Sequence, residues 1–204
     1  MNEEEARTAA RYRQLLQAHG PSYLALDWGS REGQHLRFSV LSEIGDLAGS
    51  RILDVGCGLG DFAGWLAARG IVADYTGIDL TAELVDRAKH LNPRRRFLCG
   101  GILDEVVLAN ERFDFVVASG IFATYNTGAD DFLRRAVARM WRLAERGCAF
   151  NSLSAWAPTH EAGEFHADPL AVLDYCRSLT PWVALRHDFH PRDFTVYLRR
   201  EPQA

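Results

Sequence analysis

The sequence predicts an α/β protein in three layers, with a seven-stranded sheet that is mostly parallel and ends in an antiparallel C-terminal hairpin. From residue 51 onward, short apolar runs rich in β-branched residues alternate with helical patterns, which is typical of a parallel sheet with helices on both faces. The last two apolar runs are joined only by His-Pro-Arg-Asp. That link is too short for a crossover helix, so the final pair is predicted to be antiparallel.

Two helices are predicted before the sheet. Residues 3–18 begin with three glutamates, carry apolar side chains at helical spacing and are followed by a Gly-Pro stop. Residues 32–47 carry a second apolar stripe at helical spacing. Between them, residues 20–35 combine aromatic, glycine and polar residues that fit neither a helix nor a strand. We interpret this segment as part of a helical cap over the sheet.

The sheet is predicted from seven apolar runs, at residues 51–55, 73–78, 96–99, 113–118, 147–153, 183–187 and 194–198. Helical patterns lie between them, at residues 60–69, 81–91, 129–145 and 168–179. Two of these helices have clear start signals. Thr81 is predicted to cap the second, and Asp168-Pro169 places an N-cap residue before a proline at the first helical position of the fourth.

The charge balance excludes several classes of partner. The chain of 204 residues has 23 basic and 27 acidic side chains, a formal net charge of −4, so it offers no global attraction to a polyanion. Its first ten residues lack the basic flank and apolar core of a secretory signal, and no apolar run reaches the roughly 20 residues of a membrane helix. We expect a cytoplasmic protein with neither a nucleic acid nor a membrane as partner. The sequence gives no indication of the oligomeric state.

The four cysteines, Cys57, Cys99, Cys148 and Cys176, are far apart in the sequence. They form no C-x-x-C pair and no cluster with histidine at metal-ligand spacing. We therefore expect reduced thiols packed as small hydrophobic residues, and no metal site.

The motif that indicates a chemistry lies where the first strand of the sheet ends. Gly56, Gly58 and Gly60 form a turn between that strand and a helix, where a ligand can approach the backbone closely. Asp79 ends the second strand, and its carboxylate can accept hydrogen bonds from both hydroxyls of a ribose. Both features lie at the carboxyl ends of strands, which predicts a nucleoside cofactor.

The glycine turn also discriminates between cofactors. A dinucleotide motif requires glycine or alanine where Asp61 stands, and Asp54 adds a second negative charge before the turn. This arrangement suits a ligand that presents a cation. With Asp54-x-Gly56-x-Gly58-x-Gly60 and the acidic end of strand two, the sequence resembles the class I S-adenosylmethionine-dependent methyltransferases, over roughly residues 50–200. The resemblance implies a Rossmann-like sheet and S-adenosylmethionine as cofactor.

The resemblance also implies roles for individual residues. The three glycines would line the methionine and ribose of the cofactor, Asp54 would help to orient its ammonium group, and Asp79 would bind the ribose hydroxyls. Leu80 would lie against the adenine, and Ser119 would face the methyl donor. Either Asp104 or the backbone groups of Gly101 and Ile102 would hold the adenine edge. On this interpretation residues 1–204 are one methyltransferase domain, in which 1–48 form the helical cap and 49–204 the cofactor-binding sheet.

The acceptor is expected to be a small molecule that is methylated on oxygen or nitrogen. Its pocket should be formed by the cap, in which Trp28 and Gln34 are candidates to contact the cofactor, and by the long connection after strand five. His160 and His166 in that connection could titrate near neutral pH and act as a base, and Tyr125-Asn126 is a further candidate. His187 and His190 are expected at the sheet edge and are weaker candidates.

Motifs of several other methyltransferase subclasses are absent. No Asp/Asn/Ser-Pro-Pro-aromatic motif follows strand four, no Pro-Cys pair exists, and Lys89 is the only lysine. Two alternatives remain open at this stage, an NAD(P)-dependent oxidoreductase and a non-catalytic module that binds S-adenosylmethionine. Asp61 and the antiparallel last strand disfavour the oxidoreductase. The sequence does not exclude the module, because an in-line methyl transfer requires no invariant catalytic side chain.

Overall fold

The computed structural model describes residues 2–125 and 127–203. Within them, one sheet has the strand order β3-β2-β1-β4-β5-β7-β6. The strands are β1 (Arg51–Val55), β2 (Asp74–Asp79), β3 (Arg96–Cys99), β4 (Phe113–Ala118), β5 (Ala144–Leu153), β6 (Val183–Arg186) and β7 (Asp193–Arg199). Strands β1 to β5 pair in parallel, and β7 is antiparallel to both of its neighbours, β5 and β6. The predicted fold class and C-terminal hairpin are confirmed.

Six α-helices accompany the sheet in the described residues. They are α1 (Glu3–His19), α2 (Arg31–Leu41), α3 (Asp61–Ala68), α4 (Ala82–Leu91), α5 (Ala129–Leu143) and α6 (Pro169–Leu179). Asn2 caps α1 through a capping box with Glu5, and Asp168 caps α6 as predicted. None of these helices is both long and apolar enough to cross a membrane.

Three local predictions differ from the structure. The helix predicted over residues 32–47 begins one residue earlier, behind an N-cap at Ser30, and ends at Leu41, where a short 3-10 helix takes over. Segment 20–35 also holds a 3-10 helix, Tyr23–Leu26. Thr81 occupies the N-cap position of α4, but its hydroxyl makes no capping bond. The backbone N–H of Thr81 donates a hydrogen bond to the Asp79 carboxylate.

Two apolar cores lie against the sheet. Side chains of α5 and α6, such as Met140 and Cys176, pack in one of them. Side chains of α2, α3 and α4, such as Phe38, Trp65 and Val85, pack in the other. Helices therefore cover the sheet on two faces, as the alternation of strands and helices predicted.

The order of the strands determines where a ligand can bind. The chain builds β1, β2 and β3 toward one edge of the sheet and then returns to place β4 on the other side of β1. Such a reversal opens a crevice outside the carboxyl ends of the two central strands, here β1 and β4.

Candidate functional site

The glycine turn after β1 is tightly packed. Gly56 and Gly58 both adopt positive φ, 71° and 53°, which favours glycine. A Cβ atom at Gly56 would lie 2.3 Å from Ile121, and one at Gly58 would lie 2.6 Å from Leu26 of the first 3-10 helix. The lack of a side chain at Gly58 therefore leaves room for Leu26 of the cap. Of the three motif glycines, only Gly56 lines a cavity.

Asp79 at the end of β2 is fixed by two backbone donors. Its Oδ2 accepts from Gly58 N at 2.9 Å and its Oδ1 accepts from Thr81 N at 2.8 Å. Burial raises the pKa of Asp79, and hydrogen bonding from Thr81 and Gly58 opposes the shift. A carboxylate has about four acceptor sites, so two lone pairs remain for a ligand.

The inner cavity lies beside Asp79, at the carboxyl ends of β1, β2 and β4. Its lining includes eight of the residues that the sequence selected: Trp28, Gly56, Asp79, Leu80, Gly101, Ile102, Ser119 and Tyr125. The N-terminal helix α1 contributes Glu5, Thr8 and Tyr12, which lie at helical spacing on one face. The cap and the sheet thus enclose this cavity together.

Three hydroxyls in the lining of the inner cavity are buried without a hydrogen-bond partner. They belong to Thr8, Thr81 and Tyr125. Buried polar atoms are nearly always paired in proteins, so three orphans around one cavity indicate a ligand with several polar groups. A ribose with an amino-acid moiety is such a ligand, and the donor set therefore fits a nucleoside cofactor.

Asn151 at the end of β5 holds the turn after β4. Its Nδ2 donates to Ser119 Oγ and its Oδ1 accepts from Gly120 N, each at 2.9 Å. The Asn151 side chain is buried. One amide thus fixes both a side chain and a backbone N–H in the lining of the inner cavity.

Four of the predicted cofactor-binding residues lie outside this lining. Asp54 is buried behind the glycine turn and accepts a 2.6 Å hydrogen bond from the Tyr75 hydroxyl. Burial raises the pKa of Asp54 to about 7, so the predicted negative charge there is reduced at neutral pH. Gly60 packs against Phe97, and Gly58 against the cap.

Gln34 is the fourth of these residues. It is buried in α2, and its amide nitrogen donates to Asp61 at 2.8 Å, while its Oε1 has no hydrogen-bond partner. Gln34 lines neither the inner cavity nor its neighbour.

A second, outer cavity adjoins the first. The two share the side of the lining formed by Tyr12, Leu26, Trp28, Gly120 and Thr124. The remaining lining comes from the cap, the segment after β4, the end of β5, the connection after β5, and the β6–β7 turn with the start of β7. Its polar members are Asp27, Ser30, Arg37, Asn151, Ser152, Glu164, His190, Arg192 and Asp193.

The long connection after β5 is fastened to the body of the protein. Ser154 and Ala167 form a β-bridge, and Arg192 makes ion pairs with Glu161 and Glu164. Of these residues, only Glu164 and Arg192 line the outer cavity. The connection is therefore a loop that is fixed to the body of the protein and lines the outer cavity at Glu164.

The two histidines predicted as bases lie in this loop but not in either cavity lining. His160 and His166 stack with ring centroids 4.0 Å apart. His166 also contacts Ser154 O and Glu164 at 3.1 Å. Tyr125 does line the inner cavity, stacked on Phe132, and Asn126 lies outside the described residues.

Sequence reasoning missed three contributors to the two cavities. The polar face of α1 is marked in the sequence by Glu5, Thr8 and Tyr12 at helical spacing. Asn151 was not among the predicted site residues, and His190 was only a weaker candidate. No side-chain cluster that could hold a metal ion is found among residues 2–125 and 127–203.

Comparison with known proteins identifies the family of this chain. The model of a family described as "Methyltransferase domain" matches residues 52–147. A Mycobacterium tuberculosis protein that is named as a methyltransferase, Rv1506c, is 33% identical over 160 residues, which are 73% of this chain and 92% of that protein.

Two further relatives match shorter segments. The magnesium-protoporphyrin O-methyltransferase of Rhodobacter capsulatus is 39% identical over 95 residues, 43% of this chain and 40% of that enzyme. The ribosomal RNA small subunit methyltransferase C of Chromohalobacter salexigens is 39% identical over 80 residues, 39% of this chain and 21% of that enzyme.

Solved structures show the same fold. The crystal structure of the magnesium protoporphyrin IX methyltransferase from Synechocystis PCC 6803, with S-adenosylmethionine bound, matches with a TM-score of 0.69 and 14% identity. The match covers 98% of this chain and 99% of that one.

The fold is the Rossmann-like fold of methyltransferases. The chain belongs to the class I S-adenosylmethionine-dependent methyltransferases, and S-adenosylmethionine is its cofactor. This membership favours a methyltransferase over an NAD(P)-dependent oxidoreductase. It also favours an enzyme over a non-catalytic module that binds S-adenosylmethionine.

Proposed function

We propose that this methyltransferase transfers the methyl group to an oxygen or nitrogen atom of a small molecule that binds in the outer cavity. The observation that carries the proposal is the shared lining of the two cavities at Tyr12, Trp28 and Gly120. A donor in the inner cavity and an acceptor in the outer one would meet there. Alignment of the two reacting atoms is the main task in such a displacement.

In this proposal the cofactor occupies the inner cavity. Asp79 accepts hydrogen bonds from the ribose hydroxyls through the lone pairs that Gly58 and Thr81 leave unused. The orphan hydroxyls of Thr8 and Tyr125 gain partners. When bound, S-adenosylmethionine supplies an electrophilic methyl group on a positively charged sulfur.

The remaining assignments follow from the lining. Leu80, Gly101 and Ile102 lie beside Asp79 and would enclose the adenine, and Ser119 would face the methyl donor. Residues 1–48 would act as the cap and residues 49–204 as the cofactor-binding sheet, because α1 and the Tyr23–Leu26 helix complete the cavities.

The charges of the outer cavity support a small molecule over a nucleic acid. Arg37 is paired with Asp193, and Arg192 with Glu161 and Glu164. Nucleic-acid binding sites instead present unneutralised cations to phosphates. The chain also carries a net charge of −4. The ribosomal RNA enzyme among the relatives is matched over only 21% of its length.

The proposal is tested by transfer of an isotope-labelled methyl group from S-adenosylmethionine. Parallel reactions receive a panel of phenols, amines and carboxylic acids, or total bacterial RNA. We expect label in one or more small molecules and none in RNA. Label in RNA alone would overturn the proposal, as would binding of S-adenosylhomocysteine without transfer to any member of a broad panel.

A further inference from the structure

His190 lies in the turn between β6 and β7, in the lining of the outer cavity. Because β6 runs parallel to β1 through β5, this turn stands at the carboxyl edge of the sheet, where the inner cavity also lies. The imidazole Nδ1 is 2.7 Å from Oδ2 of Asp193. A histidine oriented by a carboxylate beside a ligand cavity is a common arrangement for a general base.

The carboxylate of Asp193 is itself fixed. Arg37 reaches it from α2 with two nitrogens, Nε at 3.1 Å from Oδ1 and one terminal nitrogen on Oδ2. Both side chains of this ion pair are buried. Arg37 also donates to Gly33 O at 2.8 Å and lies over the Trp28 ring, with its guanidinium carbon 5.1 Å from the ring centroid. The Asp193 carboxylate is therefore held in one orientation.

The contacts of Nδ1 determine where the imidazole proton lies. Arg192 N is 3.2 Å from Nδ1 and would require Nδ1 to accept, whereas Asp193 at 2.7 Å would require it to donate. The shorter contact is to a charged acceptor, and charge-assisted hydrogen bonds are about twice as strong as neutral ones. The proton therefore resides on Nδ1, and the lone pair is on Nε2.

The surroundings keep this imidazole neutral. Burial lowers the pKa of His190, Arg37 and Arg192 lower it further, and Asp193 opposes them. The other charged groups in the same lining are Glu164 and Asp27, which are paired with Arg192 and Arg11. With its pKa below the ordinary 6.5, the ring is unprotonated at neutral pH and can accept a proton.

We propose that His190 is the general base of the reaction, with Nε2 accepting the proton of a hydroxyl or amine acceptor, and that Asp193 is its positioning residue. This inference rests on the proposed function. As the acceptor atom bonds to the methyl carbon, the carbon–sulfur bond breaks and its electron pair stays on sulfur. The acceptor's proton moves to Nε2 and then to solvent.

The first test requires no acceptor. In protein labelled with ¹⁵N-histidine, long-range ¹H–¹⁵N spectra distinguish the two neutral tautomers, and His190→Gln identifies the signal by its loss. We expect the Nδ1–H tautomer at pH 7.5 and a pKa below 6.5. A proton on Nε2, or a pKa above neutrality, would overturn the inference even if cofactor binding is normal.

The second test uses the panel member that accepts label best. For a hydroxyl or amine, His190→Gln should lower kcat by about 100-fold or more and remove the acidic limb of the pH–rate profile, with unchanged affinity for S-adenosylhomocysteine. His187→Gln is the matched control, because His187 lies in the same segment and lines neither cavity. An unchanged profile in His190→Gln would overturn the base role while leaving the methyltransferase intact.

A carboxylic acid acceptor provides an internal comparison. A carboxylate is already ionised at neutral pH and needs no base. If the panel yields only carboxylate acceptors whose transfer is as fast in His190→Gln as in the wild type, the base role is refuted. Absence of S-adenosylhomocysteine binding in the wild type would instead refute the proposed cofactor site.

Discussion

The hydroxyl of Tyr75 donates a 2.6 Å hydrogen bond to Oδ2 of Asp54, and both side chains are buried behind the glycine turn. Asp54, the aspartate before the turn, therefore makes this hydrogen bond in the protein interior and does not line the inner cavity. Burial raises the pKa of Asp54 to about 7, the Tyr75 hydrogen bond opposes the shift, and the nearby charges of Asp79 and Asp61 add to it.

This raised pKa makes a prediction about stability. Between pH 4 and about 7, Asp54 holds its proton in the folded state but loses it in the unfolded state, so its contribution to stability falls as the pH rises. Relative to Asp54→Asn, the free energy of unfolding of the wild type should fall by up to a few kcal/mol as the pH rises across this window, and it should fall no further above pH 7. Urea unfolding of both proteins at several pH values measures the difference, and parallel curves would contradict the prediction.

A second prediction concerns Thr8, whose orphan hydroxyl lines the inner cavity. Thr8→Val removes an unsatisfied polar group, so the free energy of unfolding should not decrease. Affinity for S-adenosylhomocysteine should fall by about 5- to 10-fold, the equivalent of one hydrogen bond. Thr195→Val is the matched control, because Thr195 is also buried with an orphan hydroxyl but lines neither cavity. Equal affinities in all three proteins would refute the assignment of Thr8.

A third prediction tests the contact between the cap and the glycine turn. Gly58→Ala introduces a Cβ 2.6 Å from Leu26 at a positive φ, and should lower the free energy of unfolding by about 1–3 kcal/mol. In a Leu26→Ala background the steric part of this cost disappears. The double-mutant cycle should therefore show a coupling of about 0.5–3 kcal/mol. Additive costs would mean that Leu26 does not pack on the turn.

Asn151 allows a fourth prediction. Asn151→Leu leaves Ser119 Oγ and Gly120 N without the partner that the amide provides, at a cost of about 1–3 kcal/mol in unfolding free energy. Because both groups belong to the inner cavity, S-adenosylhomocysteine should also bind more weakly. Ser119→Ala removes only one of the two bonds and should have a smaller effect on stability. If calorimetry finds undiminished affinity in Asn151→Leu, the two hydrogen bonds of Asn151 serve stability alone and do not contribute to cofactor binding.

Much of this architecture could be predicted because its signals are local. Apolar runs and the alternation of strands and helices placed the strand β1 and the helix α6 within a residue of their observed bounds. Residues at strand ends were also predictable, since parallel strands bring Asp79 and Ser119 to one edge of the sheet. Thr81 does occupy the N-cap position of α4, but its hydroxyl makes no capping bond.

The outer cavity could not be predicted in the same way. Arg37 and Asp193 are 156 residues apart, and no local pattern indicates that they pair. His190 was expected at the edge of the sheet, and its turn does connect the edge strand β6 to β7. The insertion of β7 between β5 and β6 brings this turn to the carboxyl ends of the parallel strands, where the cavities lie. That insertion depends on tertiary packing, which a single sequence does not reveal.

The assignment of the inner cavity to S-adenosylmethionine is tested most directly by calorimetric titration of S-adenosylhomocysteine into the wild type, Asp79→Ala and Asp74→Ala. Asp74 is the matched control, because it lies at the opposite, exposed end of the same strand. We expect binding by the wild type and by Asp74→Ala, and an affinity at least about 10-fold weaker in Asp79→Ala, since charge-assisted hydrogen bonds to the ribose contribute about 1.5–3 kcal/mol. Equal affinity in Asp79→Ala and the wild type would contradict the account.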